Sequence, residues 1–427
     1  MNVSVLRLAK QTGKAILYFP LRVLLYFEPK RVRPLHTKRI LLLDGAHIGD
    51  IVIASSLLPV LRSAFPAAEI GIACGSWARE VLQGHPDVSF VHEIDHWSLN
   101  RAQIGFPRKL LRYWTTRRKA LGEIREGKYD LALALHPSRP DFLEIAWQAG
   151  IPIRAAFTRS LWAPLATVTA TYPTEDAAFI PQGACFEGLL RAVGIEEKHI
   201  RLRHASLPSS SAAAMAEVGA LLPGAAPDHT GYVVVHMGSG SRAKELSSDF
   251  WRELSRELGG QTILFTGVGE REKLKIREVA EGIAGAIDAC NRLSWSGFVA
   301  AVRHAKALFG VDSAAAHVAA AVGTPCFSVY SGIAGVGRWR PEGGKAVVWS
   351  NPVPCSPCFR KDGCAEMLCM KGITPGNLLQ SFADEAGSHS VNSVRVRINC
   401  LCGKADCASR RAAPRWPQPR SYDPMRP

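Results

Sequence analysis

The feature of this chain that most constrains its fold is a repeated alternation between short, continuous apolar runs and longer stretches with helical spacing of apolar residues. The first such pair is an apolar run at residues 39–44 followed by a helical pattern at residues 50–65. Strands buried on both faces give continuous apolar runs, and helices placed between them indicate parallel pairing. We therefore expect an α/β fold with a doubly wound parallel sheet.

The alternation occurs in two series, separated by a stretch rich in Ser, Ala, Pro and Gly. The first series predicts further strands at 69–74, 88–94 and 129–135, with helices at 76–83 and 110–125. The second predicts strands at 232–236, 262–265, 307–311 and 325–330, with helices at 248–258, 270–283 and 314–321. The sequence thus predicts two Rossmann-like domains, at residues 38–206 and 231–385, joined by a partly helical linker at residues 207–230.

The formal net charge of +15 is concentrated at the two ends of the 427-residue chain. Residues 1–40 carry nine Lys or Arg and one acid, and residues 388–427 carry eight and two, which leaves about +1 for the rest. A protein that binds nucleic acid through its folded body would carry its cations on one face of that body. No nucleic-acid partner is therefore expected.

Residues 1–37 form a basic N-terminal extension with an apolar, aromatic core at residues 15–27. Pro20 and Arg22 interrupt this core, and 13 residues are too few to cross a bilayer. The pattern predicts an amphipathic segment in the inner-membrane surface, with its cations on anionic headgroups. The alternative is a helix packed on the domain core. Without a cleavage site for a signal peptide, we expect a cytoplasmic protein, peripheral at the inner face of the cytoplasmic membrane.

The eleven cysteines are expected to be reduced in such a compartment. Four of them, Cys355, Cys358, Cys364 and Cys369, have spacing that permits a tetrahedral thiolate site for structural Zn or Fe. The alternative is a set of reduced thiols in a compact loop. The basic tail at residues 386–427 is rich in Arg and Pro and is expected to be disordered.

The loop after the predicted strand at 232–236 has the composition of a phosphate site, although the standard dinucleotide and P-loop fingerprints are missing. Its glycines allow close approach of the backbone to a ligand. Ser239 and Ser241 offer hydroxyls, and Lys244 offers a cation. An ordinary Gly- and Ser-rich turn is the structural alternative.

Two further loops deliver polar side chains to helix starts. Asp312 and Ser313 follow a buried strand and begin an Ala-rich helix, whose amides favour a diphosphate. Asp312 either accepts from sugar hydroxyls or acts only as an N-cap, and His317 either donates to phosphate or packs in the core. Asp50 lies at the start of the first helix, where the helix dipole alone would stabilise a carboxylate by about 0.3–1 kcal/mol.

Taken in order along residues 38–380, these motifs resemble glycosyltransferase family 9, the heptosyltransferases of the inner lipopolysaccharide core. The segments that carry the resemblance are His47-Ile-Gly-Asp50, Leu58-Pro59, Leu61-Arg62-x-x-Phe65-Pro66, Gly238-Ser-Gly-Ser-Arg-Ala-Lys244, Phe250-Trp251, Ile263-Leu-Phe-Thr-Gly267, Gly310-Val-Asp-Ser313, His317-Val-Ala-Ala-Ala, Gly323-Thr-Pro325 and Pro354-Cys-Ser-Pro-Cys358.

The resemblance implies a GT-B fold, in which two Rossmann-like domains face a central cleft. It also implies an inverting transfer of heptose from ADP-heptose to a lipid-linked saccharide acceptor, without a catalytic cofactor. By this analogy Asp50 is the general base, and Lys244 with the amides around Ser313 neutralises the diphosphate. The remaining implied substrate-binding residues are His47, Gly49, Ser239, Ser241, Asp312 and His317.

The chain departs from the family pattern at two places. Asp312-Ser-Ala-Ala315 stands where the family often has Asp-Ser-Gly-Pro, and Ser331-Gly-Ile-Ala-Gly335 replaces a segment usually rich in Gly, Pro, Thr and Asp. The alternatives are a relative with another nucleotide sugar or a protein acceptor, and a non-catalytic membrane or nucleic-acid binding protein on a GT-B scaffold.

Overall fold

The computed structural model describes residues 37–136, 140–160, 162–173, 180–222, 231–351, 353–360, 362–386 and 394–398. The chain divides into two compact units. Unit 1 extends to Ala214 and includes Trp295–Ala300, and unit 2 comprises Met215–Ser294 and the chain from Ala301 onward. The predicted extension at residues 1–37 lies outside the described residues, apart from Thr37.

Unit 1 contains a six-stranded parallel sheet in the order β3-β2-β1-β4-β5-β6. Its strands are β1 (Arg39–Leu43), β2 (Glu69–Cys74), β3 (Phe90–Glu93), β4 (Leu131–Ala134), β5 (Ile153–Phe157) and β6 (Val168–Ala170). Its helices are α1 (Ile48–Ala54), α2 (Leu58–Ala64), α3 (Arg79–Leu82), α4 (Phe106–Gly127), α5 (Leu143–Gln148), α6 (Gln182–Ala192), α7 (Glu197–Ile200) and α8 (Ala212–Leu221), of which α8 reaches past the division into unit 2.

The helix predicted at residues 50–65 is interrupted. Helix α1 ends at Ala54, a 3-10 turn covers Ser55–Leu57, and α2 begins at Leu58 with Pro59 in its first turn. Proline has no N–H to donate to the carbonyl four residues earlier, and its ring clashes with that carbonyl. One continuous helix was therefore the wrong prediction, since Pro59 is compatible with the start of a helix and not with its interior.

Unit 2 contains a seven-stranded parallel sheet in the order β13-β12-β11-β10-β7-β8-β9. Its strands are β7 (Tyr232–His236), β8 (Thr262–Thr266), β9 (Ala286–Asp288), β10 (Leu308–Val311), β11 (Cys326–Val329), β12 (Ala346–Ser350) and β13 (Val394–Ile398). The remaining helices are α9 (Ser248–Glu257), α10 (Glu270–Ala280), α11 (Trp295–Arg303, divided between the units), α12 (Ala314–Val322), α13 (Val336–Trp339) and α14 (Pro375–Ala386).

Strand β13 corrects one expectation. Its residues fall in the tail expected to be disordered, yet they pair in parallel with β12, with Val394 opposite Ala346. The segment Val-Arg-Val-Arg-Ile alternates β-branched and charged residues, which is the pattern of a strand at the edge of a sheet. The rest of the tail lies outside the described residues.

Each unit has its own apolar core. In unit 2, Trp251 is fully buried, and Phe309 stacks on Phe327 with ring centroids 5.4 Å apart. Burial of each such ring contributes about 1.5–3 kcal/mol. In unit 1, Leu41 and Phe142 are fully buried in the core. Within the described ranges, no helix combines the length and apolar character needed to span a membrane.

The strand order places a topological switch point in each unit, between β1 and β4 in unit 1 and between β7 and β10 in unit 2. At these points the chain leaves neighbouring parallel strands in opposite directions, which opens a crevice at their carboxyl ends. Ligands of open α/β sheets bind in such crevices. The loops after these four strands are therefore where functional side chains are expected.

Candidate functional site

In unit 1, Asp50 lies in the first turn of α1, directly after the loop that follows β1. Its carboxylate Oδ2 accepts a hydrogen bond from the backbone N–H of His47, the N-cap residue, at 3.1 Å. The side chain is half-buried. Asp50 thus has the structural role at the helix start that the dipole argument allows, and it also lies at the switch point.

A second carboxylate, Asp44, lies directly after β1 and is 2% exposed. One of its oxygens accepts the Ala46 N–H at 2.9 Å. Burial and, to a smaller extent, the neighbouring Asp50 carboxylate raise the pKa of Asp44 to about 7, although His136 and the hydrogen bond from Ala46 act to lower it. At the switch point of unit 1, a group that can hold a proton near neutral pH therefore lies beside Asp50.

Two more acids follow β4. Asp141 is fully buried and accepts hydrogen bonds from the Ser160 hydroxyl and, at 3.1 Å, from the Leu143 N–H. Burial raises the pKa of Asp141 and raises that of Glu144 to about 7. Together with Asp44 and Asp50, they give this edge of the sheet a concentration of carboxyl groups.

The backbone of the β1–α1 loop packs closely against its surroundings. A Cβ added at Gly45 would lie 2.5 Å from the ring of Phe142, so only glycine fits there. The indole N–H of Trp77 donates to the Ala46 carbonyl at 2.9 Å. This packing fixes the loop between Asp44 and Asp50.

In unit 2, the loops after β7 and β10 are joined by an ion pair. The Lys244 ammonium lies 2.7 Å from Oδ2 of Asp312, and both side chains are largely buried. The Ser239 hydroxyl donates to the Asp312 carbonyl at 2.9 Å. The structure thus brings together three of the predicted substrate-binding residues, and Asp312 is the anionic partner of Lys244.

Glu245 also fixes the loop after β7. This buried carboxylate accepts the Ser239 N–H at 3.1 Å and pairs with Arg271 and with Lys275. A Cβ at Gly238 would lie 2.2 Å from the Glu272 carboxylate. Ser241 is half-buried, and its carbonyl accepts the Lys244 N–H at 3.0 Å. The loop is therefore a fixed structure whose backbone approaches its neighbours closely.

The start of α12 corrects the suggestion that Asp312 is an N-cap. Ser313 occupies that position in extended conformation, and its side chain makes no capping hydrogen bond. Among the described residues, no partner is found for the hydroxyls of Ser313, Ser331 and Tyr330. His317, another predicted residue of this helix, is buried in the second turn of α12. The hydroxyls of Ser331 and Tyr330 are on residues that are 1% exposed and follow β11, the strand next to β10. Of these hydroxyls, that of Ser313 lies at the switch point and the other two follow the neighbouring strand; unpartnered hydroxyls of this kind are the groups that a polar ligand would satisfy.

The four cysteines predicted as a metal site are not assembled as one. Among the described residues, no group of three or more His, Cys, Asp or Glu side chains is arranged to hold a metal ion. Cys355 and Cys364 are exposed, Cys358 is half-exposed, and Cys369 is buried, so that burial raises the pKa of the Cys369 thiol. As placed among the described residues, these four side chains do not fit a metal ion.

The sequence analysis missed the buried acids of unit 1 and the hydroxyls of Tyr330 and Ser331. Asp44 is the first polar residue after a continuous apolar strand, which is a signal that was available. Asp141 and Glu144 belong to a strand–helix connection without a recognisable motif. Tyr330 and Ser331 end an apolar run, and only the order of the strands shows that this run lies beside β10.

Two parallel sheets with the Rossmann strand order, each with polar loops at its switch point, define an α/β protein of the GT-B class. The family model of glycosyltransferase family 9 (heptosyltransferase) matches residues 196–368. The resemblance found in the sequence is therefore confirmed for this part of the chain, which carries a glycosyltransferase family 9 domain.

Solved structures confirm the fold. ADP-heptose lps heptosyltransferase II of E. coli has 19% identity and a TM-score of 0.63, over 82% of this chain and 100% of that one. A glycosyl transferase family 9 protein from Veillonella parvula DSM 2008 has 17% identity and a TM-score of 0.67, over 83% and 98%. E. coli heptosyltransferase WaaC with ADP-2-deoxy-2-fluoro heptose has 17% identity and a TM-score of 0.58, over 82% and 100%. The comparison with curated protein sequences gives no match.

Proposed function

We propose that this glycosyltransferase moves heptose from ADP-heptose to a lipopolysaccharide-core acceptor, with inversion at the anomeric carbon. The names of two similar structures support the donor, since one is an ADP-heptose heptosyltransferase and the other was solved with a fluorinated ADP-heptose. The observation that carries the proposal is the Lys244–Asp312 pair in unit 2, which lies at a switch point beside hydroxyls without partners.

The donor would bind to unit 2. Lys244 has three N–H donors, so it can keep its bond to Asp312 and still donate to a diphosphate. The α12 amides after Ser313 add the positive end of a helix dipole. Asp312 and the hydroxyls of Ser239, Ser241 and Ser331 would accept from or donate to the nucleotide sugar, and His317 would contribute from α12. This set neutralises the charge of the departing ADP.

The acceptor would be activated in unit 1. Asp50 takes the proton of the acceptor hydroxyl as its oxygen bonds to the anomeric carbon, while the bond from that carbon to the ADP oxygen breaks. The products are the glycosylated acceptor, ADP and protonated Asp50. His47 and Gly49, in the same helix start, would contact the acceptor. A positioned base contributes typically 10²–10⁴-fold in rate, and charge stabilisation at the leaving group adds to it without a cofactor.

The acceptor is lipid-linked, so we infer that the enzyme works at the cytoplasmic face of the inner membrane. The supporting observation in the sequence is the basic, aromatic extension at residues 1–37. Removal of residues 1–34 is expected to reduce binding to anionic vesicles and to leave turnover of a delipidated acceptor intact. Loss of folding on truncation would instead show that the segment packs on the core.

The test of donor choice is calorimetric titration of the purified full chain with ADP-heptose, ADP-glucose, UDP-glucose and UDP-N-acetylglucosamine. We expect ADP-heptose to bind at least tenfold more tightly than the others. Preference for a UDP-sugar would support the alternative of a relative with another donor. No binding of any nucleotide sugar, together with salt-sensitive binding of DNA by the chain without its two basic ends, would identify a non-catalytic protein.

A further inference from the structure

The most unusual surface of unit 1 is formed by the N-terminal half of α4 and the loop before it. Large apolar side chains are exposed here side by side: Phe106 and Trp114 at 57%, Leu111 at 66% and Trp97 at 40%. Phe106 and Trp97 contact each other edge to face, with ring centroids 5.6 Å apart. Contiguous exposed apolar side chains of this kind mark an interaction surface.

The apolar side chains lie along one stripe of the helix. Phe106, Leu110 and Trp114 are spaced by four residues, and Leu111 is three residues before Trp114, so all four share a face. Arg118 continues the same row. The C-terminal half of α4 differs, because Ala120 and Ile124 are buried against the sheet. One half of the helix therefore anchors it, and the other half presents its apolar stripe to solvent.

The stripe lies within the most basic part of the folded body. Residues 101–119 contain seven Lys or Arg and no Asp or Glu. Arg112 pairs with the buried Asp95, Lys109 donates to the Asn100 carbonyl at 2.7 Å, and Arg117 lies 5.9 Å from the Trp114 ring centroid. Arg108 and Arg118 are exposed and make no ion pair with any described residue. The surface thus offers uncompensated positive charge around an apolar centre.

We propose that this basic-aromatic surface, defined by Trp97, Phe106, Leu111, Trp114, Arg108 and Arg118, docks unit 1 on an anionic lipid bilayer. Charge complementarity selects this occupant. A second copy of the chain would place the seven Lys and Arg of residues 101–119 against the same seven cations, which repel each other. A nucleic acid would leave the aliphatic Leu111 without a favourable contact. Only an anionic bilayer places phosphate headgroups against the arginines and acyl chains against the apolar stripe.

The same loop connects the surface to the proposed acceptor site. Arg101 lies between Trp97 and α4; burial lowers the pKa of its guanidinium, and the Asp50 carboxylate is close enough to offset part of that effect. Docking here would bring a lipid-linked hydroxyl near Asp50. This link depends on the proposed function, whereas docking itself does not.

The test is cosedimentation of the full chain with vesicles of phosphatidylcholine alone or mixed with phosphatidylglycerol. Leu111→Ser/Trp114→Ser is expected to lower the partition coefficient on anionic vesicles at least tenfold. Arg108→Gln/Arg118→Gln is expected to lower it by about fivefold per cation at low salt, and less at high salt. The matched control is Leu274→Ser/Arg277→Gln on α10, where Leu274 is 56% exposed. This control is expected to bind like the wild type.

A second measurement separates the surface from residues 1–37, which are present in every variant. Brominated lipids quench a tryptophan that enters the bilayer, so Trp114→Leu should retain binding and lose part of the quenching. Unchanged binding of Leu111→Ser/Trp114→Ser, with unchanged melting temperature, would overturn the proposal. So would a dimer at micromolar concentration that these substitutions dissociate, because the surface would then be an interface between copies.

Discussion

The two switch points of this molecule have the same topology and opposite chemistry. In unit 1 the loops after β1 and β4 carry carboxyl groups, two of which have pKa values raised to about 7 by burial. In unit 2 the loops after β7 and β10 carry a lysine, a helix N-terminus and the Ser313 hydroxyl, for which no partner is found among the described residues. The sheet thus fixes where ligands bind, and the loop residues decide which charge they meet.

This contrast matches the two tasks of a glycosyl transfer. The acceptor has to lose a proton, which needs a carboxylate, and the leaving diphosphate has to gain positive surroundings. Asp50 belongs to the sheet of unit 1 and Lys244 to that of unit 2, where the anionic partner of Lys244 is Asp312.

The largest expected effect comes from Asp50→Asn, which tests whether the carboxylates of unit 1 act on the acceptor. The amide oxygen can still accept the His47 N–H and cannot take a proton, so kcat should fall by roughly 10²–10⁴-fold while both substrates bind. The melting temperature should change little, because Asn is about as good a capping residue as Asp. Steady-state kinetics and calorimetry measure the two parts.

The matched control is Asp249→Asn, since Asp249 also lies in the first turn of a helix, α9, and is exposed. It is expected to retain near-normal turnover. If folded Asp50→Asn enzyme retained wild-type kcat, Asp50 would have a capping role only, and Asp44 would be the next carboxylate to test.

The second prediction concerns the cation of unit 2. Lys244→Ala removes a charge-assisted contact worth on the order of 1.5–3 kcal/mol, so the Kd for the nucleotide sugar should rise roughly 10–150-fold. Acceptor binding should not change. Isothermal titration with each substrate measures both.

Lys244→Ala also leaves the buried Asp312 carboxylate without its partner, and the double variant Lys244→Ala/Asp312→Asn removes that charge as well. We expect the double variant to bind the donor better than Lys244→Ala and worse than the wild type. An unchanged donor Kd in Lys244→Ala would exclude the lysine from the diphosphate site.

Much of the fold could be predicted from the sequence, because strands such as β1 and β7 are buried on both faces and give continuous apolar runs. Short elements were missed where this pattern is weak. Strand β6 has only three residues, one of them exposed, and β9 has three half-buried residues. Each pairs with the strand that precedes it in the chain, and three residues are too few to show a period.

The candidate site was predicted less completely than the fold. Asp50 and Lys244 stand in motifs with glycines and small residues, which a sequence shows. The Lys244–Asp312 pair depends on β7 and β10 being neighbours, although residues 237–307 separate them in the chain. Burial raises the pKa of Asp44 and that of Glu144, and burial depends on which segments pack together in the fold. Such properties come from tertiary packing, which periodicity does not report.

The third prediction uses pH to test the carboxyl groups of unit 1. Burial raises the pKa of Asp44 from 3.8 to about 7, so the folded protein binds this proton more tightly than the unfolded chain does. The resulting stabilisation is complete below about pH 4 and is lost as the pH rises through 7. The wild-type melting temperature should therefore fall as the pH rises from about 4 to about 7.

In Asp44→Asn this fall should shrink by a few degrees, since about 1 kcal/mol corresponds to roughly 2–4 °C in a unit of this size. The Asn oxygen can still accept the Ala46 N–H. Burial raises the pKa of Glu144 to about 7 as well. The double variant Asp44→Asn/Glu144→Gln should therefore flatten the dependence of melting temperature on pH further. Calorimetric scans across this range test the prediction, and an unaltered slope in both variants would show that these acids are ionised in the folded state.

The smallest expected effect comes from two serine substitutions, which test whether a hydroxyl at a helix start binds the ligand or caps the helix. Ser313 and Ser247 are both N-cap residues, but only Ser247 accepts a hydrogen bond from its helix, from the Phe250 N–H at 3.3 Å. Ser247→Ala should therefore cost about 1 kcal/mol of unfolding free energy and leave donor binding unchanged. Ser313→Ala should leave stability within about 0.5 kcal/mol and raise the donor Kd roughly two- to tenfold, the size of one neutral hydrogen bond. Denaturant titration measures the unfolding free energy of each variant, and calorimetry measures its donor Kd. We expect Ser247→Ala to change only the unfolding free energy and Ser313→Ala to change mainly the donor Kd. A loss of stability in Ser313→Ala equal to that in Ser247→Ala, with unchanged donor Kd, would assign Ser313 to the helix alone and leave the α12 amides as the ligand contacts at that position.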